Sequence, residues 1–289
     1  MAIHSRVIIT GISGFTGQHL SDLLLNYGFE CVSLGCDLVD RKSVFSQVSI
    51  LQPDYVVHLA GISFAGELDI ECIYRVNVVG TVNLLDGLKQ IKGRLKKVIL
   101  ASSATVYGDV LETILAEGLC PKPVNHYGCS KLAMEHIARI YFDQFPIIIT
   151  RPFNYTGINH SDRFLIPKII HGYKNSQQSI TLGNLDVSRE FNDVRDVIEV
   201  YRLLLTSEFK SGVINICSGT SHSLLKIIEI MNEISGFNME VVSSQEFSRV
   251  GEIRDLSGDD SILRGVVDYS FTHQLQDTLE HMYYNYKKV

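Results

Sequence analysis

Residues 6–25 constrain the fold more than any other stretch. Arg6-Val7-Ile8-Ile9-Thr10 is a short apolar run, Gly11-Ile12-Ser13-Gly14-Phe15-Thr16-Gly17 is a glycine turn, and leucines follow at 20, 23, 24 and 25. A brief run rich in Val and Ile bounded by glycine reads as a buried strand, and the leucine spacing reads as a helix. Strand, tight turn and helix make a phosphate site, because the helix start presents free N–H groups and the positive end of its dipole. The spacing is G-x-x-G-x-x-G, so Gly11, Gly14, Phe15, Thr16 and Gly17 are candidate cofactor contacts.

The same alternation continues. Glu30–Leu34 is expected to be a second strand, and its end should carry the residue that reads an adenosine ribose, an acid for NAD or a nearby Arg for NADP. The sequence there is Leu34-Gly35-Cys36, which carries neither signal, so NAD and NADP both stay open. Asp37 and Asp40 follow, and each carboxylate suits either an adenine amino group or the N-cap of a helix over 41–51. Tyr55–Gly61 is a third strand ending in small residues, where the backbone can pass close to a dinucleotide. His58 within it is expected to be a satisfied core histidine. A long helix is expected to open at Asn77, whose side chain should bond backbone and hold neighbouring strands.

Ser102-Ser103-Ala104-Thr105-Val106-Tyr107-Gly108 lies beyond a fourth strand, Val98–Ala101. Hydroxyls at the carboxyl end of a central strand sit where open α/β sheets bind ligands. Further on, a helix starting near Gly128 puts Tyr127 and Lys131 on one face. A phenol titrates near ~10, and bringing it to neutrality takes roughly 4 kcal/mol, about what one cation at ~4 Å supplies at an effective dielectric of ~20. Tyr127 is thus a candidate acid/base and Lys131 its expected activator. The spacing recurs at Tyr283/Lys287 and Tyr284/Lys288, so the pair gains meaning only beside Ser103. A serine that bonds a carbonyl next to a tyrosine that can donate a proton is what ketone reduction requires.

A net charge of -6 and a pI near 5.9 argue against a nucleic-acid partner, which needs a basic face. The six cysteines have neither Cys-x-x-Cys nor paired-histidine spacing, so no zinc site or disulfide framework is indicated and reduced thiols in the cytoplasm fit best. No stretch reaches the ~18 apolar residues of a membrane span.

Five ordered motifs together resemble the extended short-chain dehydrogenase/reductases that act on nucleotide sugars: Thr10-Gly11-x-x-Gly14-Phe15-x-Gly17, His58-Leu59-Ala60-Gly61, Asn77-Val78-x-Gly80-Thr81, Ser102–Gly108 and Tyr127-Gly128-x-Ser130-Lys131. Arg151-Pro152-Phe153-Asn154-Tyr155-Thr156-Gly157 and the 183–196 run are similar to the GDP-4-keto-6-deoxymannose reductases and their dehydratase relatives. The resemblance implies an α/β fold: a Rossmann-like doubly wound parallel sheet with a smaller α/β substrate-binding domain. Residues 1–154 plus 191–212 are expected to bind NAD(P), and 155–190 plus 213–289 the nucleotide sugar. Asp37, Leu38, Leu59, Ala60, Gly61, Asn77 and Pro152 join the expected cofactor contacts, and Lys131 is expected also to hold the nicotinamide ribose. Asn154, Arg189 and Arg249 are implied to bind the sugar diphosphate, Glu252 the nucleotide ribose, and a homodimer is implied by analogy.

The resemblance also separates reactions. Sugar 4,6-dehydratases carry an acid where this chain has Thr105, and the 3,5-epimerase/reductases carry a cysteine where it has Ala104. Hydride transfer at C4 remains, with Ser103, Thr105, Tyr127 and Lys131 as the catalytic set. The favoured expectation is reduction of a GDP-4-keto-6-deoxyhexose in deoxysugar biosynthesis. A 4-epimerase with tightly held NAD, a ketoreductase for a CDP-, UDP- or dTDP-sugar and a non-catalytic dinucleotide-binding regulator are the alternatives. Ile158-Asn159-His160 departs from the family pattern at the expected nucleotide lip.

Overall fold

Apolar strands alternate with amphipathic helices, as in a sheet covered on both sides. The computed structural model describes residues 5–63, 69–183, 185, 187–243 and 255–286. Strands β1 (Arg6–Thr10), β2 (Glu30–Val32), β3 (Tyr55–His58), β4 (Lys97–Ala101), β5 (Ile147–Pro152) and β6 (Gly212–Ile216) form one parallel sheet in the order β2-β1-β3-β4-β5-β6. Strand order reverses between β1 and β3. The loops leaving their carboxyl ends therefore diverge and leave a crevice, which is where such sheets bind ligands.

Successive strand residues face opposite layers. Ile8, Val56, Val98, Leu100, Ile147 and Ile149 pack with α2 (Arg41–Leu51), α4 (Thr81–Leu88) and α5 (His126–Arg139). Val7, Ile9, Val57, Ile99, Ile148 and Ile214 pack with α1 (Phe15–Asn26), α7 (Val194–Thr206) and Leu263 of α9 (Ser261–Val267). Each such side chain, fully buried, contributes roughly 1.5–3 kcal/mol of transfer free energy. A separate core joins α6 (Leu165–Lys174), α8 (Leu224–Ser235) and α10 (Leu275–Tyr284) through Ile169, Ile227, Met231 and Leu279. A small sheet bridges the halves, because Asp255–Gly258 pairs with both Ser188–Arg189 and Ile114–Leu115. Among the described residues no helix is long and apolar enough to cross a membrane.

Several boundaries differ from the sequence expectation. The second strand ends at Val32 because Leu34 turns into the core and Gly35 takes a φ of 68°. The third ends at His58, where Thr10 ends its partner β1. The helix expected at Asn77 begins earlier, as α3 (Ile70–Tyr74), and runs through a π-helical turn, Arg75–Gly80, into α4. Asn77 sits inside that turn. The domain boundary placed after residue 212 falls within β6, since the parallel sheet continues to Ile216.

One interaction fastens α5 to the sheet. The Arg151 guanidinium on β5 donates from Nε and Nη2 to the Glu135 carboxylate on α5 at 2.9 and 2.7 Å. Both side chains are almost fully buried, and Ser102 Oγ adds a bond of 2.6 Å to Glu135. Such a pair is stable only while both partners are present, because each charge alone is stranded in low dielectric. Arg151→Ala is expected to cost about 3–5 kcal/mol in urea unfolding. The double variant Arg151→Met with Glu135→Leu should recover most of it, and equal losses in both would show that the pair's charges are not what matters.

Candidate functional site

The crevice begins at the glycine turn. Gly11 has a φ of 71°, and a side chain there would meet the Ala60 backbone at 2.9 Å. At Gly17 a Cβ would lie 2.2 Å from the Gly11 carbonyl oxygen, so α1 can pack this close to the turn only with glycine. Gly14 caps α1 without a side-chain bond, which leaves first-turn N–H groups beside Phe15 and Thr16 for an anion. Across the crevice, the Ala60 N–H donates to Thr10 Oγ1 at 3.1 Å, drawing the loop after β3 against β1. These features fit a dinucleotide pyrophosphate.

The other wall is built on β4 and α5. Asn125 N-caps α5 by accepting from Gly128 N at 2.8 Å, which fixes where the helix starts and puts Tyr127 and Lys131 one turn apart. Ser103 caps the short turn after β4, accepting from Thr105 N at 3.1 Å and sharing a 2.8 Å hydrogen bond with the Thr105 hydroxyl. Ser103 also lies close enough to the Tyr127 phenol to oppose the effect of burial on it. Ser103, Thr105 and Tyr127 thus form one hydroxyl cluster.

Lys131 departs from expectation. Its Nζ donates to the Ala101 carbonyl at 2.7 Å and stands 6.0 Å from the centre of the Tyr127 ring. Helical spacing does put both residues on one face, but the ammonium reaches down to the strand rather than to the phenol. Burial pushes Tyr127 up to about 12, with only Ser103 opposing it. Burial pulls Lys131 down to about 8, and the Glu135 carboxylate one turn away holds it up. The resting cluster therefore carries a protonated phenol beside an amine poised near neutrality.

Asn77 bonds the backbone on both sides of Ile62, N–H to Oδ1 at 2.8 Å and Nδ2 to C=O at 3.1 Å, and donates to Ser130 Oγ at 3.0 Å. It ties the loop after β3 to α5 rather than joining strands. The π-helical turn opens the helix enough to aim it inward. His58 is a core histidine, as expected: its ring bonds the Thr10 and Thr81 hydroxyls at 2.7 and 2.9 Å, and burial lowers it to about 3, so it is neutral. Asp40 caps α2 through Lys42 N and Ser43 N, while Asp37 accepts from Val39 N at 2.9 Å and is exposed. Leu38 is buried, and Leu59 donates its N–H to the Thr10 carbonyl at 3.2 Å. Pro152 ends β5, level with the crevice.

Of the expected sugar-nucleotide contacts, Asn154 is exposed just past β5, and Arg189 is half-buried in the small sheet, donating to the Ser188 carbonyl at 2.7 Å. Arg249 and Glu252 lie outside the described residues. Three residues near the site went unnoticed in the sequence. Glu135 was signalled only by its position one turn past Lys131. Glu190 is buried and accepts from Gly258 N at 2.6 Å and Ser218 N at 2.8 Å, fixing the strand that carries Arg189. Tyr155 bonds the Thr16 hydroxyl at 2.7 Å.

His160 lies in the departing 158–160 segment, and its contacts give that departure a structural role. Its ring stacks on Phe15 at 4.3 Å and on Phe164 at 4.3 Å, and burial lowers it to about 4, so it is uncharged. The segment after β5 thereby bridges the glycine turn and the start of α6.

The model of the NAD dependent epimerase/dehydratase family matches residues 7–217. GDP-6-deoxy-D-talose 4-dehydrogenase of Aggregatibacter actinomycetemcomitans is 36% identical over 287 residues, covering 97% of each chain. GDP-6-deoxy-D-mannose reductase of Pseudomonas aeruginosa is 33% identical over 268 residues, covering 88% of each. The solved structure of RMD from Pseudomonas aeruginosa complexed with NADPH superposes with a TM-score of 0.87 at 30% identity, over 97% of this chain and 98% of that one.

An aromatic stack contributes about 0.5–1.5 kcal/mol beyond its buried area. His160→Ala is accordingly expected to weaken dinucleotide binding about two- to tenfold in calorimetric titration. An unchanged dissociation constant would mean that the stack does not brace the turn.

Proposed function

Because the chain belongs to the NAD dependent epimerase/dehydratase family, whose model matches residues 7–217, we propose that this NAD(P)-dependent oxidoreductase reduces C4 of a GDP-4-keto-6-deoxyhexose. The observation that carries the reading is the protonated Tyr127 phenol beside Ser103 at the carboxyl end of the central strand. The sugar chemistry rests on the relatives named for 4-dehydrogenation and reduction of GDP-6-deoxyhexoses.

The dinucleotide, bound in its reduced form, would supply the hydride, two electrons, for the carbonyl carbon. Tyr127 gives its proton to the carbonyl oxygen, so ketone, hydride and proton sum to the alcohol. Ser103 polarises that oxygen by hydrogen bonding, with its own hydroxyl oriented by Thr105. Lys131 offsets the negative charge left on Tyr127 and is available to a ribose hydroxyl. Gly11, Gly14, Phe15, Thr16 and Gly17 take the pyrophosphate, with Asp37, Leu38, Leu59, Ala60, Gly61, Asn77 and Pro152 around the rest of the dinucleotide. Asn154, Arg189, Arg249 and Glu252 take the nucleotide diphosphate of the sugar. On this reading the parallel sheet serves the dinucleotide, and the α6, α8 and α10 half serves the sugar nucleotide.

A 4-epimerase is the second reading. It gains support from the two contacts on the glycine turn, Tyr155 to Thr16 and His160 to Phe15, which suit a dinucleotide held through many turnovers. Acid release of NAD from freshly purified protein would favour it. We also propose a homodimer through α3, α4 and α5, a surface that exposes Ile70, Val79 in the π-helical turn and, just past α5, Ile140. Sedimentation as a monomer at micromolar concentration would refute that pairing.

The principal assay mixes the protein with GDP-4-keto-6-deoxymannose and NADH or NADPH and follows nicotinamide absorbance, with NMR of the product. Tyr127→Phe is expected to lower kcat about 10²–10⁴-fold, the usual share of general acid catalysis. Turnover indistinguishable from the parent would remove Tyr127 from the mechanism. Because Lys131 titrates at about 8 and Tyr127 at about 12, reductive kcat/KM should fall as pH rises through about 8, where the lysine loses its charge. Glu135 holds Lys131 up, so Glu135→Gln should move this alkaline limb to lower pH. A limb that stays in place would separate Lys131 from the pH dependence.

A further inference from the structure

The turn that follows β2 lies beside the end of β1 and the glycine turn, where the adenosine ribose of a bound dinucleotide belongs. NADP differs from NAD there by a 2′-phosphate carrying close to two negative charges, which needs an arginine or lysine, or free helix N–H groups. The turn offers none of these. Ser33, Leu34, Gly35 and Cys36 are uncharged, and the next two ionisable residues are Asp37 and Asp40. Both carboxylates act on the Cys36 thiol, which together with partial burial they push upward, so they lie close to this turn.

Two nearby positive groups, Arg41 and Lys89, are engaged elsewhere. Arg41 Nη1 is paired with Asp86 on α4 at 2.9 Å, and its guanidinium lies 4.7 Å over the Phe45 ring one helical turn on. Lys89 is also held by Asp86, at 3.5 Å. Lys42 is exposed next to the Asp40 carboxylate, whose charge it favours. The start of α2 is closed to an anion, because Asp40 already accepts from Lys42 N and Ser43 N at 3.1 and 3.3 Å. The turn cannot easily rearrange to bring a cation in. Buried Asn83 on α4 donates to the Leu38 and Val39 carbonyls at 2.9 and 3.2 Å and pins it.

We propose that this chain selects NAD(H) against NADP(H), with the uncharged Ser33–Cys36 turn leaving a 2′-phosphate unpaired and Asp37 and Asp40 repelling it. The selection is electrostatic exclusion rather than a dedicated ribose acid: no carboxylate stands at the end of β2, and specificity comes from a penalty on the competitor. The inference rests on the dinucleotide reading of the site and deepens it.

The test is equilibrium binding of NADH and of NADPH to the intact protein, by nicotinamide fluorescence and calorimetry without substrate. NADH is expected to bind at least about tenfold more tightly at low salt, with the gap narrowing as salt screens the carboxylates. The Arg41→Ala/Lys42→Ala double variant, altered only at exposed positions, should keep a preference at least as large. Equal or tighter binding of NADPH overturns the selection, as does a double variant whose NADPH affinity collapses, since that would place the 2′-phosphate on those cations. Binding of neither dinucleotide overturns the site reading itself and is thereby distinguished from a failed preference.

Discussion

The buried Glu135–Arg151 pair is the constraint on which the site's geometry depends. Taking two charges out of water costs several kcal/mol per ion, recovered only when geometry is good and the remaining lone pairs are satisfied. Here two guanidinium bonds and the Ser102 hydroxyl meet that condition, and α5, β4 and β5 lock in one relative position. Ser102 precedes Ser103, and Lys131 lies one turn before Glu135, so the residues that hold the pair are covalent neighbours of the candidate catalytic ones. The pair also bears on charge, because the Glu135 carboxylate opposes the effect of desolvation on Lys131.

Much of this was legible in the sequence, for physical reasons. Parallel strands buried on both faces leave continuous apolar runs, so β1, β3, β4 and β5 stood out, and glycine is compelled wherever backbone meets backbone, as at Gly11 and Gly17. The family motifs carried the order of the site residues. What stayed hidden were the long-range contacts. Nothing local announces that Arg151 will meet Glu135, that Asn77 will sit in a π-helical turn and reach Ser130, or that Lys131 will spend its hydrogen bond on the Ala101 carbonyl. The expected depression of the Tyr127 pKa failed for the same reason. Shared helical face was read correctly, but side-chain direction is decided by the strand beneath it. Between Asp37 and Asp40 local chemistry could not choose a cap, and the structure assigns it to Asp40.

The segment 155–164 shows a departure from family pattern becoming a physical feature. Tyr155 reaches the Thr16 hydroxyl, and His160 fills the gap between Phe15 and Phe164 as a neutral ring. The His160 stack joins the glycine turn to the start of α6, and Tyr155 adds a second bond from the same segment to Thr16. Order imposed on one side therefore lowers the entropic cost of order on the other. A positive charge on His160 would be opposed by burial and by Arg163, so the stack persists across the physiological range.

The proton inventory bears on direction. A buried phenol pushed up to about 12 holds its proton at neutral pH, so the resting cluster has the protonation state that reduction needs, although burial makes that proton harder to release. Tyr127 becomes a base only if a positive charge joins Lys131 nearby, and an oxidised nicotinamide would bring one. On the proposed reading, the same three side chains could then serve hydride transfer in either direction. On that reading, direction follows from which dinucleotide form fills the crevice, so the glycine turn, the contacts at Thr16 and Phe15 and the acidic turn after β2 bear on the outcome together with Tyr127.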